Sequence, residues 1–205
     1  MGNTKQARSG SLFKETLSGQ NKAEFLQKSN LEKSSLILNT INKPMPIAYY
    51  RTPIGIVRIT QTDEFISGIS IRDEEFEIEP PATPLLQLAI NQLQEYFDGT
   101  RKTFDFPIKQ PGTDFQQQVW ECLLNIEYGT TTTYLQQSQQ MNNPLAIRAI
   151  AAANGKNHLW VVVPCHRVIG SDGSLTGYAG GLWRKQWLLQ HEANVMGVGQ
   201  TRLNF

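Results

Sequence analysis

The chain is poor in cysteine: its 205 residues include only Cys122 and Cys165. Two cysteines do not make a disulfide framework, and a reducing, intracellular setting is the expectation. Histidine is almost as scarce, with three in all. These few cysteines and histidines match none of the usual zinc ligand sets, so no metal and no cofactor is expected. No apolar run approaches the roughly 18 residues that cross a bilayer, which excludes a membrane partner. The N-terminus lacks a compact apolar segment followed by a small-residue cleavage site, so no secretory signal is read there. What remains is a globular composition, 40% hydrophobic and 18% charged.

A large excess of charge is missing too, the formal net charge being +1. The balance hides a division. From Asp63 to Glu79 seven acidic residues face one arginine, whereas from Pro144 to Trp187 the cations Arg148, Lys156, Arg167, Arg184 and Lys185 face Asp172 alone. A basic patch in that second stretch would suit a polyanion, although a solvated face is the commoner meaning of such a run of charges.

Residues 1–43 are rich in Lys, Ser, Gln, Asn and Thr and read as a flexible or loosely packed extension. From Ile47, "IAYYRTPIGIVRIT" and "FISGISI" read as β-strands punctuated near Thr52-Pro53 and Thr62-Asp63. "TPLLQLAINQLQEYFDG" reads as a helix with Leu86, Ala89, Ile90, Leu93 and Phe97 at helical spacing, and "RKTFDFPI" as a short strand. Residues 44–108 would then form a small α+β unit.

The second part, 109–205, opens with a capping box, Thr113 and Gln116, and a helix burying Phe115, Val119, Trp120, Leu123 and Leu124. A short helix from Tyr134 to Met141, a turn, and a helix from Pro144 to about Asn154 with Asn143 as its cap have the outline of a helix-turn-helix, or of an ordinary αα-corner. In the last of these helices Ile147, Ile150 and Ala151 share a core face. Leu145, Arg148, Ala149 and Ala152 share the opposite face, one long cation among small side chains. The fold class expected is mixed α/β (α+β): a small sheet-plus-helix domain, then a mainly helical domain with a winged-helix-like helix-turn-helix.

"VVVPCHRVIG" carries the chemistry. "HLWVVVPC" reads as a buried strand, and it ends in Pro164, Cys165, His166 and Arg167. An imidazole or a cation beside a thiol lowers its pKa from about 8.5, and an acid elsewhere, with Glu192 the candidate, can hold the histidine in one tautomer. Cys122, between Trp120 and Leu123 in its helix, reads as a small hydrophobe.

"PCHRVIGSDGSLTGYAGGLWRKQWLLQHE" closely resembles the active-site segment of the O6-alkylguanine–DNA alkyltransferases, the methylated-DNA–protein-cysteine methyltransferases. The likeness continues upstream through "GTDFQQQVWECLLNIEYGTTTTY", "RAIAAANGKN" and "QLQEYFDGTRKTFDFPI", covering roughly residues 47 to 193. It implies an irreversible, stoichiometric transfer of an alkyl group from guanine O6 in double-stranded DNA to Cys165. His166 would activate the thiol through a water, Glu192 would orient the imidazole, and Asn157 would tie the recognition helix to the active-site strand. Tyr134 would donate to guanine N3. Val168, Tyr178, Ala179 and Trp160 would form the substrate pocket. Arg148, with Ala149 and Ala152 on the same helix face, would enter the duplex and fill the place of the flipped nucleotide. The resemblance further implies a monomer acting in the cytoplasm, or in the nucleus of a eukaryote, and leaves open repair of O4-alkylthymine and cooperation along DNA. His158 and Trp160 depart from the residues common in the family.

Two other readings compete. A cysteine hydrolase built on Cys165, His166 and Glu192 would turn over an ester or amide and would have no use for Arg148. A lesion-binding protein without catalysis would have no use for Cys165.

Overall fold

The computed structural model describes residues 27–28, 45–75 and 77–197. Contacts divide the chain at Pro44–Met45, and every element named below belongs to the unit that begins at Met45. The extension expected over residues 1–43 lies, apart from residues 27–28, outside the described residues.

Three strands, β1 (Ile47–Thr52), β2 (Gly55–Thr62) and β3 (Phe65–Arg72), form an antiparallel meander in chain order. The turns fall at the Pro53 and Asp63 punctuation; Thr52 Oγ1 closes the first by donating to the Gly55 carbonyl at 2.7 Å. The outer edge of β3 is covered twice. Ile66 exchanges backbone hydrogen bonds with Pro107 and Lys109, and Ile69 does so with His158 and Trp160. An unpaired edge invites pairing with another chain, and these two short contacts satisfy it.

Those contacts also correct two expectations. Neither "RKTFDFPI" nor "HLWVVVPC" is a strand. Each touches β3 at a single bridge, Ile108 or Leu159, and then turns away. Pro107 has no N–H to continue a ladder, and Val161 takes a left-handed backbone, φ +73°, that bends the second segment off the sheet.

Helix α1 (Pro84–Phe97) covers the sheet. Thr83 caps it by accepting from the Leu86 N–H, and Pro84 occupies the first position, where a missing donor costs nothing. Its inner face is Leu86, Ala89, Leu93, Tyr96 and Phe97, with Ile90 at the margin. Fully burying each large apolar side chain contributes about 1.5–3 kcal/mol.

Helix α2 (Asp114–Leu124) has the expected capping box, Thr113 with Gln116. It buries Val119, Trp120 and Leu123, whereas Leu124, expected inside, is half exposed because it lies beyond the buried stripe. Two residues of strand β4 (Thr132–Thr133) pair in parallel with β5 (Val168–Ile169). Helix α3 (Tyr134–Gln140) has a second capping box, Thr133 with Gln136, and helix α4 (Ile147–Asn154) packs on α2 and α3. The start of α4 differs from the expected Pro144. Pro144 and Leu145 form a turn in which the Ala146 N–H reaches the Asn143 carbonyl, and helical bonding begins with Ile150 to Ala146. Trp120 Nε1 donates to the Ala153 carbonyl at 2.9 Å, and Asn154 Nδ2 donates to Gln137 Oε1 at 2.9 Å; these fix α4 against both helices. Helix α5 (Leu182–Met196) closes the fold.

Candidate active site

Cys165 begins a single 3-10 turn, Cys165–Arg167, between the bent segment and β5. Its sulfur is nearly buried, yet it lines a cavity of about 400 Å³ together with Tyr134, Arg148, Trp160, Tyr178 and Ala179. That size lies in the range of small-ligand sites, about 300–1,000 Å³. Pro164 cannot extend a ladder, and the Cys165 N–H turns back to the Val163 carbonyl at 2.8 Å.

Asn157 holds the bent segment in place. Its Oδ1 accepts from the Leu159 N–H at 2.9 Å, and its Nδ2 donates to the Val163 carbonyl at 2.8 Å and to Cys165 Sγ at 3.2 Å. A β-branched residue in the left-handed region is strained by about 1–3 kcal/mol, and Val161 lies within this clamp. Asn157, three residues past the end of α4, thus bonds by its backbone N–H to the Asn154 carbonyl and by its side chain to the segment that carries the thiol.

Behind the thiol, His166 and Glu192 are fully buried. His166 Nε2 lies 2.9 Å from Glu192 Oε1. Burial by itself would push the Glu192 carboxyl up, but His166 and Arg167 together hold it well below the usual carboxylate range. The carboxylate is ionised, so Nε2 carries the proton and donates it. Burial lowers the His166 pKa, and the imidazole is neutral with a lone pair at Nδ1. Nδ1 is buried and has no protein partner. Cys165 departs from the expectation of an activated thiol. Burial raises its pKa, and the Asn157 hydrogen bond and the Lys185 cation only partly offset that. The resting pair is thiol and neutral imidazole, not thiolate and imidazolium.

Four neighbours complete this site, and of these only Arg167 was placed beside the thiol by the sequence. Arg167 grips Glu192 from two sides, Nε to Oε2 at 2.9 Å and Nη2 to Oε1 at 3.0 Å. The Gly129 N–H donates to Oε2 at 3.0 Å; its φ of +75° and the closeness of Met196 leave no room for a side chain. Tyr96 from α1 donates its hydroxyl to Oε1 at 2.7 Å. Lys185 is fully buried, donating to the carbonyls of Val168 at 2.6 Å and Thr176 at 2.8 Å. Burial brings its pKa down to about 8. Arg167, adjacent to His166 in sequence, offered a signal; the others did not.

The basic patch expected between Pro144 and Trp187 is thereby corrected. Arg167, Arg184 and Lys185 are all buried, with Arg184 bound to the Ile54 and Gly180 carbonyls and to Asp73. Of the five cations only Arg148 and Lys156 are exposed. The outer face of α4 is bare as expected, with Arg148, Ala149 and Ala152 exposed and Leu145 at 95% exposure in the preceding turn.

Tyr134 opens α3 at the cavity wall and donates its hydroxyl to the Thr176 carbonyl at 3.3 Å. Burial raises its pKa, keeping it a neutral donor. Trp160 and Tyr178 meet at 5.7 Å between ring centres, and Trp160 Nε1 donates to the Asn157 carbonyl at 3.0 Å. Val168 is buried behind the cavity rather than lining it. Cys122 is half-buried on a separate cleft, its sulfur facing Gln140, with no histidine in that lining. No group of three or more metal-ligating side chains occurs among the described residues.

Fold and site define a class: a helix-turn-helix protein with one buried thiol lining a cavity, backed by an imidazole and a carboxylate. Two family models match the chain, the ribonuclease-like domain of 6-O-methylguanine DNA methyltransferase over residues 45–110 and the DNA binding domain of the same family over residues 114–194. A methylated-DNA–protein-cysteine methyltransferase of Methanosarcina barkeri is 39% identical over 148 residues, 70% of this chain and 94% of the relative. The constitutive enzyme of that name from Bacillus subtilis is 42% identical over 137 residues, 63% of this chain and 83% of the relative. The crystal structure of Mycobacterium tuberculosis O6-methylguanine methyltransferase superposes with a TM-score of 0.66 at 36% identity, covering 73% of this chain and 93% of that one. The chain belongs to the 6-O-methylguanine DNA methyltransferase family.

Proposed function

We propose that this protein repairs DNA by direct reversal, moving an alkyl group from guanine O6 irreversibly onto Cys165. The observation that carries the reading is the cavity itself. One wall is the Cys165 sulfur, its rim is Arg148 on an exposed helix face, and His166 with its free Nδ1 lies behind. Membership of a family whose relatives are named for methyl transfer from DNA to a protein cysteine supports it, as does the solved complex of the Mycobacterium tuberculosis relative with DNA at 37% identity.

An alkyl group on a stacked base is out of reach from outside the duplex, so the nucleotide must be extruded into the cavity. Extrusion costs a few kcal/mol. Arg148 would offset part of it by filling the vacated place, with Ala149 and Ala152 small enough to let α4 approach closely. The Cys165 proton passes to His166 Nδ1 through a water, and the imidazolium is stabilised by Glu192. Sγ then attacks the alkyl carbon, a C–S bond forms, the C–O6 bond breaks, and its electron pair leaves with the purine. Tyr134, released from the Thr176 carbonyl, donates to N3 and stabilises charge that grows only in the transition state. Trp160, Tyr178, Ala179 and the backbone of Cys165 would frame the base. The raised thiol pKa fits a nucleophile deprotonated only when substrate is present.

In this reading residues 44–108 support the site, and residues 109–205 bind double-stranded DNA and accept the group. The protein acts as a monomer in the compartment that holds the DNA. A thioether offers water no labile bond, so each molecule acts once.

The test is the intact mass after incubation with duplex DNA carrying O6-methylguanine, followed by peptide mapping. The expected result is one added methylene unit, on Cys165, saturating at one per protein, and none in Cys165→Ala, which still binds the lesion. An unchanged mass with tight binding would leave a recognition protein. An unchanged mass without binding, with turnover of an ester, would point to a hydrolase.

A further inference from the structure

Tyr96 belongs to α1, within the stretch matched by the ribonuclease-like domain, and it is 96 residues away from Glu192 in the chain. Its ring is fully buried at the centre of an aromatic cluster formed by Phe97, Phe104, Tyr128 and His191. Two hydrogen bonds join it to α5. The Tyr96 hydroxyl donates to Glu192 Oε1 at 2.7 Å, and the Tyr96 carbonyl lies 2.8 Å from His191 Nε2. Oε1 is the same oxygen that accepts from His166 Nε2.

We propose that Tyr96 is a positioning residue for alkyl transfer, through which the first part of the chain sets the basicity of His166. The inference rests on the reading of Cys165 and His166 given above. Oε1 is shared among three donors, His166 Nε2, Arg167 Nη2 and Tyr96 Oη, while Oε2 accepts from Arg167 Nε and the Gly129 N–H. Each donor draws charge from the carboxylate. A carboxylate with less charge to offer stabilises an imidazolium less, so the phenol holds the His166 proton affinity down. Packing alone does not call for the hydroxyl, since a phenylalanine would fill the same apolar cluster. The phenol also cannot lose its own proton near neutrality, because burial and then the Glu192 charge raise its pKa well above the usual tyrosine value.

Other charged or titratable groups face the pair. Arg167 and Lys185 act on His166, and Tyr128, Tyr178 and Cys165 stand around them. Of the three donors to Glu192 Oε1, Tyr96 is the one whose removal leaves both ion pairs of Glu192 in place.

The experiment measures the single-turnover rate of methyl transfer against pH for the full chain, Tyr96→Phe, and Phe97→Leu, which disturbs the cluster without touching Glu192. The acid limb reports protonation of the base. Tyr96→Phe leaves Glu192 richer in charge toward His166, so the limb should move to higher pH, on the order of half a unit. A fluorinated tyrosine installed at position 96 is a stronger donor in the same shape and should move it to lower pH. This variant carries the test if Tyr96→Phe does not fold. The His166 Nε2 proton resonance, read without DNA, should move downfield in Tyr96→Phe and upfield with the fluorinated ring. An unmoved limb and resonance in both variants, or a shift matched by Phe97→Leu, would overturn the proposal. If the wild-type protein transfers no methyl group, the proposed function fails by itself, and the resonance still decides whether Tyr96 tunes His166.

Discussion

The Asn157 amide nitrogen stands 3.2 Å from the Cys165 sulfur, and the same side chain accepts from Leu159 and donates to Val163. One residue thus shapes the loop and donates to the thiol. Asn157→Ala should lower stability by about 2–4 kcal/mol through the lost buried hydrogen bonds, read by denaturant titration. Asn157→Asp keeps the acceptor for Leu159 but sets a negative charge beside sulfur. Its methyl-transfer rate at pH 7 should fall further than its loss of stability accounts for, because the thiol pKa rises again. Equal behaviour of the two variants would confine Asn157 to loop structure.

In the proposed function Arg148 bears on DNA rather than on chemistry. Arg148→Ala should slow repair of O6-methylguanine in duplex DNA by about tenfold or more, equivalent to about 1.4 kcal/mol or more. Reaction with a free alkylated guanine should change little. Rapid-quench kinetics on both substrates distinguishes the two, and equal slowing would remove the finger role.

Glu192 and Arg167 form a buried ion pair, and each leaves the other exposed to the cost of an unpaired charge. Glu192→Gln should destabilise the protein by about 3–5 kcal/mol, since Arg167 keeps its charge without a counter-ion. Adding Arg167→Met should recover part of that loss. Thermal unfolding of the single and double variants measures the difference, and strictly additive losses would show that the pair does not act as a unit.

The acid response follows from two lowered pKa values. His166 is held neutral when folded but protonates near pH 6.5 when unfolded, so the unfolded chain binds more protons below that pH. Its contribution is complete above pH 6.5 and declines as the pH falls. Glu192, depressed by His166 and Arg167 against its burial, contributes fully above the unfolded value near 4.3 and loses that contribution at lower pH. Tm should therefore decline in two stages, below about pH 6.5 and again below about pH 4. His166→Asn should flatten the first stage and reduce the second, since His166 is one of the two groups that depress Glu192.

Much of this protein was legible along the chain because much of its information is local. Capping at Thr113, the helical spacing of Leu86, Ala89 and Leu93, and the punctuation at Pro53 and Asp63 act within a few residues, and α1, α2 and the three strands followed. The PCHRV run and its downstream partners named the family, since a cysteine, a histidine and an arginine stand side by side there. Tertiary structure decided what depends on surroundings. "HLWVVVPC" has the composition of a strand, yet Asn157 and the left-handed Val161 turn it into a clamp on the thiol. Arg167, Arg184 and Lys185 count as a basic patch in sequence and are interior anchors in space, because buried carbonyls and carboxylates need donors. The ionisation of Cys165, His166 and Glu192, and the reach of Tyr96 into their midst, depend on burial and on neighbours distant in the chain; no pattern along a sequence records either.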